Sequence, residues 1–269
     1  MTSPPIRLGS IVPELPAGLV SVVMPVHCEK DTLEIIVGRV LALPLVAELI
    51  IVDDASTDGS DEIIKRLAAE DSRVKGYYFP VNRGKGSAVR EGISHATAEH
   101  VVIQDADLEY DPQDLPHVLA PLAAGVADVV YGSRFASRQW RRVLYFRHEL
   151  GNKFLTFLSN LLTDLNLTDM ETCYKAWRRE VIQNLHLTCD RFGFEPEVTA
   201  KLARSPAVFY EVPISYHGRS YEEGKKVTWK DGVAALWFLL KFNVLQSIDV
   251  QIKRPWSEVP NMARQTSED

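Results

Sequence analysis

Residues 19–26 read LVSVVMPV, a short apolar run of the kind that forms a buried strand. A helical pattern follows at residues 31–43, then a second apolar run at 48–52 and a second helical pattern at 59–70. This alternation predicts repeated strand–helix–strand units, in which helices connect parallel strands. We therefore expect an α/β protein with a mostly parallel central sheet flanked by helices.

The same alternation continues along the rest of the chain. In its middle part we predict strands at 74–79, 101–103 and 128–131, and helices at about 84–96 and 112–124. Further on, we predict helices at 181–185, 195–203 and 229–244, and a strand at 208–216. Because the first five strands all precede residue 132, the sheet should be built mainly from the N-terminal half.

The composition is that of an ordinary globular protein, with 269 residues of which 46% are hydrophobic and 25% charged. Lys and Arg number 30 against 36 Asp and Glu, so the net charge of −6 argues against a protein whose main partner is nucleic acid. Cys28, Cys173 and Cys189 lack metal-ligand spacing and fit a reducing cytosol better than a disulfide framework. We interpret all three as structural.

Neither a secretory signal nor a membrane-spanning run is expected. Residues 1–18 contain four prolines but no basic segment followed by an apolar one, so we interpret them as an extended N-terminal segment. The apolar run at 233–240 ends at Lys241 and is much shorter than the roughly 20 residues that cross a bilayer. We expect one domain at 19–250, a flexible tail at 251–269 and a cytoplasmic location.

Acidic residues follow three of the predicted strands. Glu29 comes after the first strand, Asp53 after the second, and Asp105 and Asp107 after the strand at 101–103. The C-terminal ends of parallel strands are where open α/β sheets bind ligands. Because Mg²⁺ and Mn²⁺ prefer carboxylate oxygens and share them with substrate phosphates, a metal-bound nucleotide is a candidate ligand here.

Capping offers a simpler role for some of the polar residues near the second strand. Asp53 and Asp54 would then form an N-cap and turn before the helix at 59–70, and this alternative stays open. For Asp58 and Ser60 we favour the capping role.

Residues 82–87, NRGKGS, open the third predicted helix with two glycines. Glycines at this place let backbone N–H groups approach a phosphate at the positive end of a helix. The segment is not a Walker motif, because Phe79 stands where that pattern needs a glycine. A dinucleotide-binding fingerprint is also missing after the first strand, so both common nucleotide-binding motifs are disfavoured.

A basic segment leads into the helical pattern that follows residue 134. Residues 134–153 contain a single acid, Glu149, against six basic residues: Arg134, Arg138, Arg141, Arg142, Arg147 and Lys153. One helical face then carries Leu150, Phe154, Phe157, Leu158 and Leu161. This pattern predicts either an amphipathic helix that meets an anionic partner or a core-facing helix with a basic edge.

Five motifs, in this order and spacing, resemble those of glycosyltransferase family 2. They are MPVHCE at 24–29, IVDDASTDG at 51–59, NRGKG at 82–86, DAD at 105–107 and GSR at 132–134. Residues 20–245 further resemble the polyprenyl-phosphate glycosyltransferases, which act on dolichol or undecaprenyl phosphate and include the dolichol-phosphate mannose synthases. The resemblance implies a GT-A fold with C-terminal amphipathic helices. It also implies inverting transfer of a hexose from a nucleotide-diphosphate sugar to a polyprenyl phosphate.

On the donor side, the resemblance implies a nucleotide-sugar site formed by the strand-end loops. Its residues would be Pro25, Val26, Glu29, Asp53, Lys85, Asp105, Ala106, Asp107 and Lys225. A Mg²⁺ or Mn²⁺ ion would be held by Asp105, Asp107 and Glu109, the last of which replaces a glutamine of the mannose synthases. Arg219 and Lys225 lie on a glycine-containing loop, where they would form a cationic lid over the diphosphate.

On the acceptor side, Arg134, Arg138 and Arg141 would bind the phosphate. Elements at about 134–165 and 217–246 would face a membrane surface, with the protein peripheral on the inner face of the cell membrane. We thus expect Asp107, Arg134 and Arg219 to be catalytic. The donor, whether UDP-glucose, UDP-GlcNAc or GDP-mannose, is left open because 169–175 and 217–226 depart from the mannose-synthase pattern.

The nature of the acceptor decides whether a general base is needed. A phosphate monoester, with a second pKa of about 6, is already ionised near neutral pH. A saccharide acceptor, the first alternative, would need a base near Asp107, Glu109 or residues 169–171. The second alternative is a sugar-phosphate nucleotidyltransferase, which would need a glycine-rich basic signature that residues 25–29 lack. The third is a non-catalytic module that only binds a nucleotide sugar, and it leaves the pair Asp105 and Asp107 unexplained.

Overall fold

The computed structural model describes residues 15–136, 143, 145–191, 193–219 and 229–245, with only the backbone for 229–231. The strands are β1 (Val20–Val26), β2 (Val46–Asp53), β3 (Val74–Tyr78), β4 (His100–Ile103), β5 (Val129–Ser133), β6 (Lys175–Arg178) and β7 (Phe209–Pro213). The helices are α1 (Lys30–Leu41), α2 (Ser60–Glu70), α3 (Lys85–His95), α4 (Leu115–Ala123), α5 (Phe146–Thr163), α6 (Arg179–Gln183), α7 (Phe194–Ala203) and α8 (Trp229–Leu240). A 3-10 turn at Pro112–Asp114 precedes α4, and a π-helical turn at Lys241–Leu245 follows α8.

The strands form one sheet in the order β3-β2-β1-β4-β6-β5-β7. Strands β1 to β4 are parallel to their neighbours among themselves, and β5 is parallel to β7. Only β6 runs antiparallel, between β4 and β5. The predicted α/β class and mostly parallel sheet are therefore confirmed.

The centre of the sheet is almost entirely apolar and buried. In β1 the side chains of Val22, Val23 and Met24 are fully inaccessible to solvent, and in β2 the same holds for Leu49 and Ile50. Parallel strands covered on both faces need such continuous apolar runs, because neither face meets water. Burial of each large apolar side chain contributes roughly 1.5–3 kcal/mol, so this sheet is the main source of stability.

A buried carboxylate joins the sheet to its neighbouring loop at the end away from the C-termini of β1 and β2. Glu48 accepts hydrogen bonds from Ser21 Oγ at 2.6 Å and from the backbone N–H of Thr97 at 2.7 Å, and it forms an ion pair with Lys75. Burial opposes ionisation, but these donors outweigh it and lower the pKa of Glu48 to about 2. The carboxylate is thus a charged structural element.

Strand β6 was not predicted. Its four residues, KAWR, are too short for a period to be read, and Lys175 at the start is fully buried. The Lys175 ammonium is accommodated because it donates to the carbonyl oxygens of Met170 and Thr172 and lies over the Tyr131 ring. Tertiary contacts, rather than local pattern, therefore create this strand.

Two predicted elements end earlier than the sequence indicated. The strand predicted at 208–216 is β7, which ends at Pro213, and Tyr216 instead forms an isolated bridge with Tyr110. The helix predicted at 229–244 is α8 to Leu240, after which the chain continues as the π-helical turn. The earlier end of β7 leaves Tyr216 free to donate a hydrogen bond to Glu109 in the site described below.

The apolar stripe of α5 faces outwards. Phe154, Phe157 and Leu161 are 53%, 62% and 70% exposed, and Phe146 and Leu150 are exposed on the same stripe. The opposite face is buried, and there Thr156 Oγ1 accepts a hydrogen bond from the backbone N–H of Met170 at 3.1 Å. The alternative of a core-facing stripe is therefore wrong, and only Leu158 of the predicted set packs against the core.

The helix α8, which packs against α5, also presents apolar side chains to solvent. Val233 and Trp237 of α8 and Val244 of the following turn are all more than half exposed. Within the described residues, no helix combines the length and the hydropathy needed to cross a membrane. The tail predicted at 251–269, and residues 1–14 of the predicted N-terminal segment, lie outside the described residues.

Candidate active site

The loops after β1, β2 and β4 share an unusual backbone feature. Cys28, Ala55 and Leu108, one in each loop, have φ angles of 54°, 58° and 63°. The left-handed conformation costs a residue other than glycine roughly 1–2 kcal/mol, so surrounding contacts must hold it. Three such residues at the same end of the sheet indicate loops shaped for a ligand, as the positions of the acidic residues predicted.

Asp53, at the end of β2, presents one oxygen without a partner. Its carboxylate is 3% exposed, and Oδ2 accepts a hydrogen bond from the backbone N–H of Ser56 at 3.1 Å. Within the described residues, Oδ1 is buried and has no hydrogen-bond donor. In the register of the sheet Val26 lies opposite Asp53 and Pro25 opposite Val52. A ligand placed here would need to offer a hydrogen-bond donor, an N–H or an O–H group, to Asp53.

The segment that leads into α3 is held by a carboxylate. Asp54 accepts hydrogen bonds from the N–H groups of Arg83 at 2.6 Å and Gly84 at 2.8 Å. A Cβ atom at Gly86 would lie 2.5 Å from the carbonyl oxygen of Cys189, so this glycine serves close packing. Asp54 thus holds the segment that leads into α3 rather than the start of α2, and the phosphate role that we inferred for the glycines of 82–87 stays a prediction.

The capping role favoured for Asp58 is confirmed, whereas Ser60 is the first residue of α2 and its hydroxyl accepts the backbone N–H of Glu29. Asp58 Oδ1 accepts a hydrogen bond from the backbone N–H of Ser60 at 3.0 Å at the start of α2. Its other oxygen, Oδ2, accepts the backbone N–H of Lys30 at 3.0 Å at the start of α1. One carboxylate thus satisfies the first turns of two helices.

Lys85 holds Asp105 in place. Its ammonium lies 2.8 Å from Asp105 Oδ1 and 3.0 Å from Oδ2, and it also contacts the sulfur of Cys173 at 3.6 Å. Burial opposes the positive charge, but the Asp105 carboxylate outweighs it and raises the pKa of Lys85 well above its ordinary value. Ala106, between the two acids, is buried. Lys85 is therefore a fixed cation beneath this acidic loop.

Asp107 lies among acidic neighbours and one arginine. Burial raises the pKa of Asp107 to about 7, and the nearby charges of Asp105 and Glu109 add to this effect. Among the described residues Arg219 is the cation beside it, with Nη2 2.9 Å from Asp107 Oδ2 and Nη1 3.6 Å from Glu29 Oε2. A site with this excess of carboxylates favours a further cation.

Glu109 contacts the loop at residues 214–219 through both carboxylate oxygens. Tyr216 donates its hydroxyl to Oε2 at 2.7 Å, and the backbone N–H of Arg219 donates to Oε1 at 2.8 Å. Within the described ranges, no three His, Cys, Asp or Glu side chains form a group that could hold a metal ion. The predicted ligands Asp105 and Asp107 do fit a hard divalent cation chemically, with substrate phosphate oxygens completing its coordination.

Arg134 lies at the end of β5, on the side of the site towards α5. Its guanidinium contacts Asp169 through two hydrogen bonds and lies 5.2 Å from the centre of the Tyr216 ring. The other residues predicted at the acceptor phosphate, Arg138 and Arg141, and Lys225 of the predicted lid lie outside the described residues. The structure therefore brings together Glu29, Asp53, Lys85, Asp105, Asp107, Glu109, Arg134 and Arg219.

Sequence reasoning did not identify Tyr216 or the partner of Arg134. Tyr216 was assigned to a strand, and the alternation that led to this assignment carries no signal for a hydroxyl aimed at Glu109. Asp169 was considered only as a base, whereas both its oxygens are bonded to Arg134.

Glu171 lies beside Asp169 in the same segment. Burial and the charge of Glu195 raise the pKa of Glu171 to about 8, and Glu171 Oε1 is buried without a hydrogen-bond partner within the described residues.

Two curated relatives are similar in sequence over much of the chain. They are undecaprenyl-phosphate 4-deoxy-4-formamido-L-arabinose transferases of Shewanella sediminis and Edwardsiella ictaluri, 30% and 29% identical over 211 residues. The aligned region covers 77% of this chain in both cases, and 61% and 62% of the relatives. The chain thus spans about three fifths of the length of these proteins.

Solved structures of glucosyl-3-phosphoglycerate synthase from Mycobacterium tuberculosis have a similar fold. The one crystallised with Mn²⁺, UDP and phosphoglyceric acid has a TM-score of 0.69 and 21% identity, and covers 90% of this chain and 85% of the synthase chain. Another, with Mn²⁺ and UDP-glucose, has a TM-score of 0.68 and 21% identity and covers 88% and 84%. This similarity confirms the predicted GT-A fold.

A match to a known protein family confirms the predicted family. Residues 21–185, which include β1 to β6 and the acidic loops after β1, β2 and β4, match the family described as glycosyl transferase family 2. The match covers more than half of the chain, and it contains Asp53, Asp105, Asp107 and Arg134. The chain therefore belongs to glycosyl transferase family 2.

Proposed function

We propose that this glycosyltransferase transfers a hexose from a nucleotide-diphosphate sugar to a polyprenyl phosphate at a membrane surface, with inversion at the anomeric carbon. The observation that carries the proposal is the exposed apolar stripe of α5. The opposite, buried face of the same helix contacts the segment that holds Arg134. A phosphate attached to an isoprenoid chain needs a cation and an apolar surface side by side. The two relatives, as undecaprenyl-phosphate sugar transferases, are named for the same class of acceptor.

The donor base would lie between the ends of β1 and β2. Asp53 Oδ1 is a buried acceptor, and leaving it unpaired costs about 1–3 kcal/mol. Uracil N3–H or guanine N1–H would satisfy it, whereas adenine and cytosine present a lone pair at the corresponding ring nitrogen. This favours UDP or GDP sugars, with Pro25, Val26 and Glu29 lining the same pocket.

The leaving diphosphate would lie over the loop after β4. Asp105 and Asp107 would hold Mg²⁺ or Mn²⁺, which when bound neutralises charge on the departing nucleotide diphosphate. Lys85 fixes the Asp105 carboxylate, and Arg219 supplies a second positive charge beside Asp107. These residues stabilise the charge that develops when the bond between the anomeric carbon and the diphosphate breaks.

The acceptor phosphate would approach from the side of Arg134. One of its oxygens forms the new bond to the anomeric carbon, and the electron pair of the broken bond leaves with the nucleotide diphosphate. No proton has to be removed, because the phosphate is ionised at neutral pH. Arg134 positions the phosphate with guanidinium N–H groups, and Arg138, Arg141 and Lys225 are proposed to contribute further positive charge.

The exposed faces of α5 and α8 would contact the membrane that contains the acceptor. Contiguous exposed apolar surface is unusual on a soluble monomer and marks a binding surface. A helix with an apolar face and a basic entry binds at the boundary between lipid headgroups and acyl chains, and the surface potential of anionic lipids adds to the attraction. We propose a peripheral location on the cytoplasmic face of the cell membrane.

A saccharide acceptor is the second candidate, and Glu171 is the observation that favours it. A buried carboxyl with a pKa of about 8 has the basicity required of a general base. The segment 169–171 also lies beside Arg134. In this alternative Glu171 would accept the proton of a sugar hydroxyl, and the exposed stripe of α5 would have no role.

A transfer assay distinguishes these candidates. The purified protein is incubated with Mn²⁺, radiolabelled UDP-glucose, UDP-GlcNAc or GDP-mannose, and polyprenyl phosphate in detergent, and the products are extracted into organic solvent. We expect label in the organic phase with one donor and none with the dephosphorylated polyprenol. Label that appears only in water-soluble products when sugars are added as acceptors would contradict the proposal and support the saccharide alternative.

A further inference from the structure

Glu109 lies two residues after Asp107, and its carboxylate accepts hydrogen bonds from the loop at residues 214–219. We infer that Glu109 is a positioning residue that anchors the loop at residues 214–219 and thereby Arg219, and that it is not a ligand of the metal ion. The inference rests on the proposed function, because it assigns Arg219 to the diphosphate. It replaces the metal role that we expected for Glu109 from the sequence.

Each of the three oxygen atoms of Glu109, two in the carboxylate and one in the backbone carbonyl, accepts a hydrogen bond from the loop. Its Oε2 accepts from the Tyr216 hydroxyl at 2.7 Å, Oε1 accepts from the Arg219 N–H at 2.8 Å, and its backbone carbonyl accepts from the His217 N–H at 2.8 Å. Arg219 Nε lies a further 3.5 Å from Oε1. Charge-assisted hydrogen bonds of this kind are about twice as strong as neutral ones, so a metal ion would have to compete with them for the same two oxygens.

The backbone explains why Glu109 and Asp107 serve different partners. Leu108, between them, has a φ angle of 63°, and the N–H of Glu109 donates to Asp107 Oδ1 at 3.1 Å. The chain therefore turns sharply at Leu108, and the two carboxylates meet different atoms of Arg219. Asp107 remains beside Arg219 Nη2, while Glu109 holds the backbone and ring of the loop.

Tyr216 connects this anchor to the acceptor side. Its ring lies 5.2 Å from the Arg134 guanidinium and 5.2 Å from the ring of Tyr110, while its hydroxyl reaches Glu109. Burial, followed by the charge of Glu109, raises the pKa of Tyr216, so the hydroxyl stays protonated and remains a donor. The pair Glu109 and Tyr216 thus fixes the loop between the two arginines assigned to the two phosphates.

The test uses variants that alter the anchor from both ends, measured without any sugar donor or lipid. Tyr216→Phe removes the hydroxyl but retains the Glu109 charge, Glu109→Leu removes both acceptors, and Glu109→Gln retains one carbonyl oxygen. Amide hydrogen exchange of residues 214–219 reports the loop, and electron paramagnetic resonance of added Mn²⁺ reports the metal site. Asp107→Asn is the control that removes a proposed metal ligand, and thermal unfolding verifies that each variant is folded.

We expect exchange of residues 214–219 to become about three- to tenfold faster in Tyr216→Phe and faster still in Glu109→Leu, with partial rescue in Glu109→Gln. Mn²⁺ affinity should change less than about twofold in Tyr216→Phe, whereas Asp107→Asn should lower it more than about tenfold. Two results would overturn the inference: unchanged loop exchange in both Tyr216→Phe and Glu109→Leu, or a loss of Mn²⁺ affinity in Glu109→Gln as large as in Asp107→Asn. Because no acceptor is present, neither result bears on the lipid assay, and failure of that assay would leave these measurements intact.

Discussion

Arg134 and Asp169 form a bidentate ion pair, with Arg134 Nε 2.7 Å from Asp169 Oδ2 and Arg134 Nη2 2.7 Å from Asp169 Oδ1. The Asp169 side chain is fully buried and that of Arg134 is 12% exposed. The Arg134 backbone N–H donates to Asp169 Oδ2 as well, at 3.0 Å. This geometry fixes the orientation of Arg134 before any acceptor binds, and the remaining guanidinium N–H groups are the ones proposed to meet the phosphate.

Asp169→Asn should destabilise the protein, because it leaves a buried guanidinium without its counter-charge. Removal of one partner of a buried pair costs roughly 3–5 kcal/mol in the free energy of unfolding. Urea denaturation followed by circular dichroism measures this change. Asp61→Asn is the matched control, since Asp61 pairs with Lys65 on the exposed face of α2 and such pairs contribute little to stability. Equal losses in the two variants would contradict the structural role of Asp169.

The double substitution Phe154→Ser and Phe157→Ser should abolish binding to lipid vesicles without loss of stability. Both side chains are more than half exposed, and surface substitutions usually change the free energy of unfolding by less than about 0.5 kcal/mol. Co-sedimentation with vesicles that contain anionic lipid measures the binding. Leu155→Ala, on the buried face of the same helix, should instead destabilise by roughly 2–5 kcal/mol and leave vesicle binding intact. Retention of binding in the double variant would exclude this stripe as the membrane contact.

Asp53→Asn should weaken the binding of the donor nucleotide. The amide reduces the acceptor capacity at the place where Asp53 Oδ1 awaits an N–H donor, and the lost charge-assisted hydrogen bond corresponds to about 1.5–3 kcal/mol, or roughly ten- to a hundredfold in Kd. Titration calorimetry with UDP and GDP measures the affinity. A loss of the same size with ADP, or no loss with any nucleotide, would show that Asp53 does not contact the base. Asp61→Asn again serves as the control.

Protonation of Glu48 should make the protein less stable in acid. Its pKa of about 2 in the folded protein lies below its ordinary value of 4.5, so its contribution is fully present above pH 4.5 and is lost as the pH falls from 4.5 towards 2. The shift corresponds to a free energy on the order of 3 kcal/mol. Chemical denaturation at a series of pH values should show that Glu48→Gln is less stable than wild type at pH 6 and that the gap narrows towards pH 2. The control is Glu70→Gln, at an exposed position, whose curve of stability against pH should stay nearly parallel to that of wild type. If the curve of Glu48→Gln were also parallel to wild type, Glu48 would not be a charged structural element.

The sequence by itself determined the architecture and the position of the acidic residues. The apolar runs at 19–26, 48–52 and 101–103 have the length and continuity that buried parallel strands require, and all three are strands of the sheet. Residues that directly follow parallel strands must lie at one edge, so Asp53, Asp105 and Asp107 could be assigned to one site before any coordinates were known.

Only the tertiary structure decided which partner each side chain has. Glu109 and Tyr216 are 107 residues apart, and Arg134 and Asp169 are 35 apart, so no local pattern specifies either contact. Strand β6 forms because β4 and β5 supply its hydrogen bonds, and the α5 stripe is exposed because its other face is the one that packs. Hydrophobic period is a local property, whereas hydrogen-bond and charge pairing depend on distances that the whole fold sets.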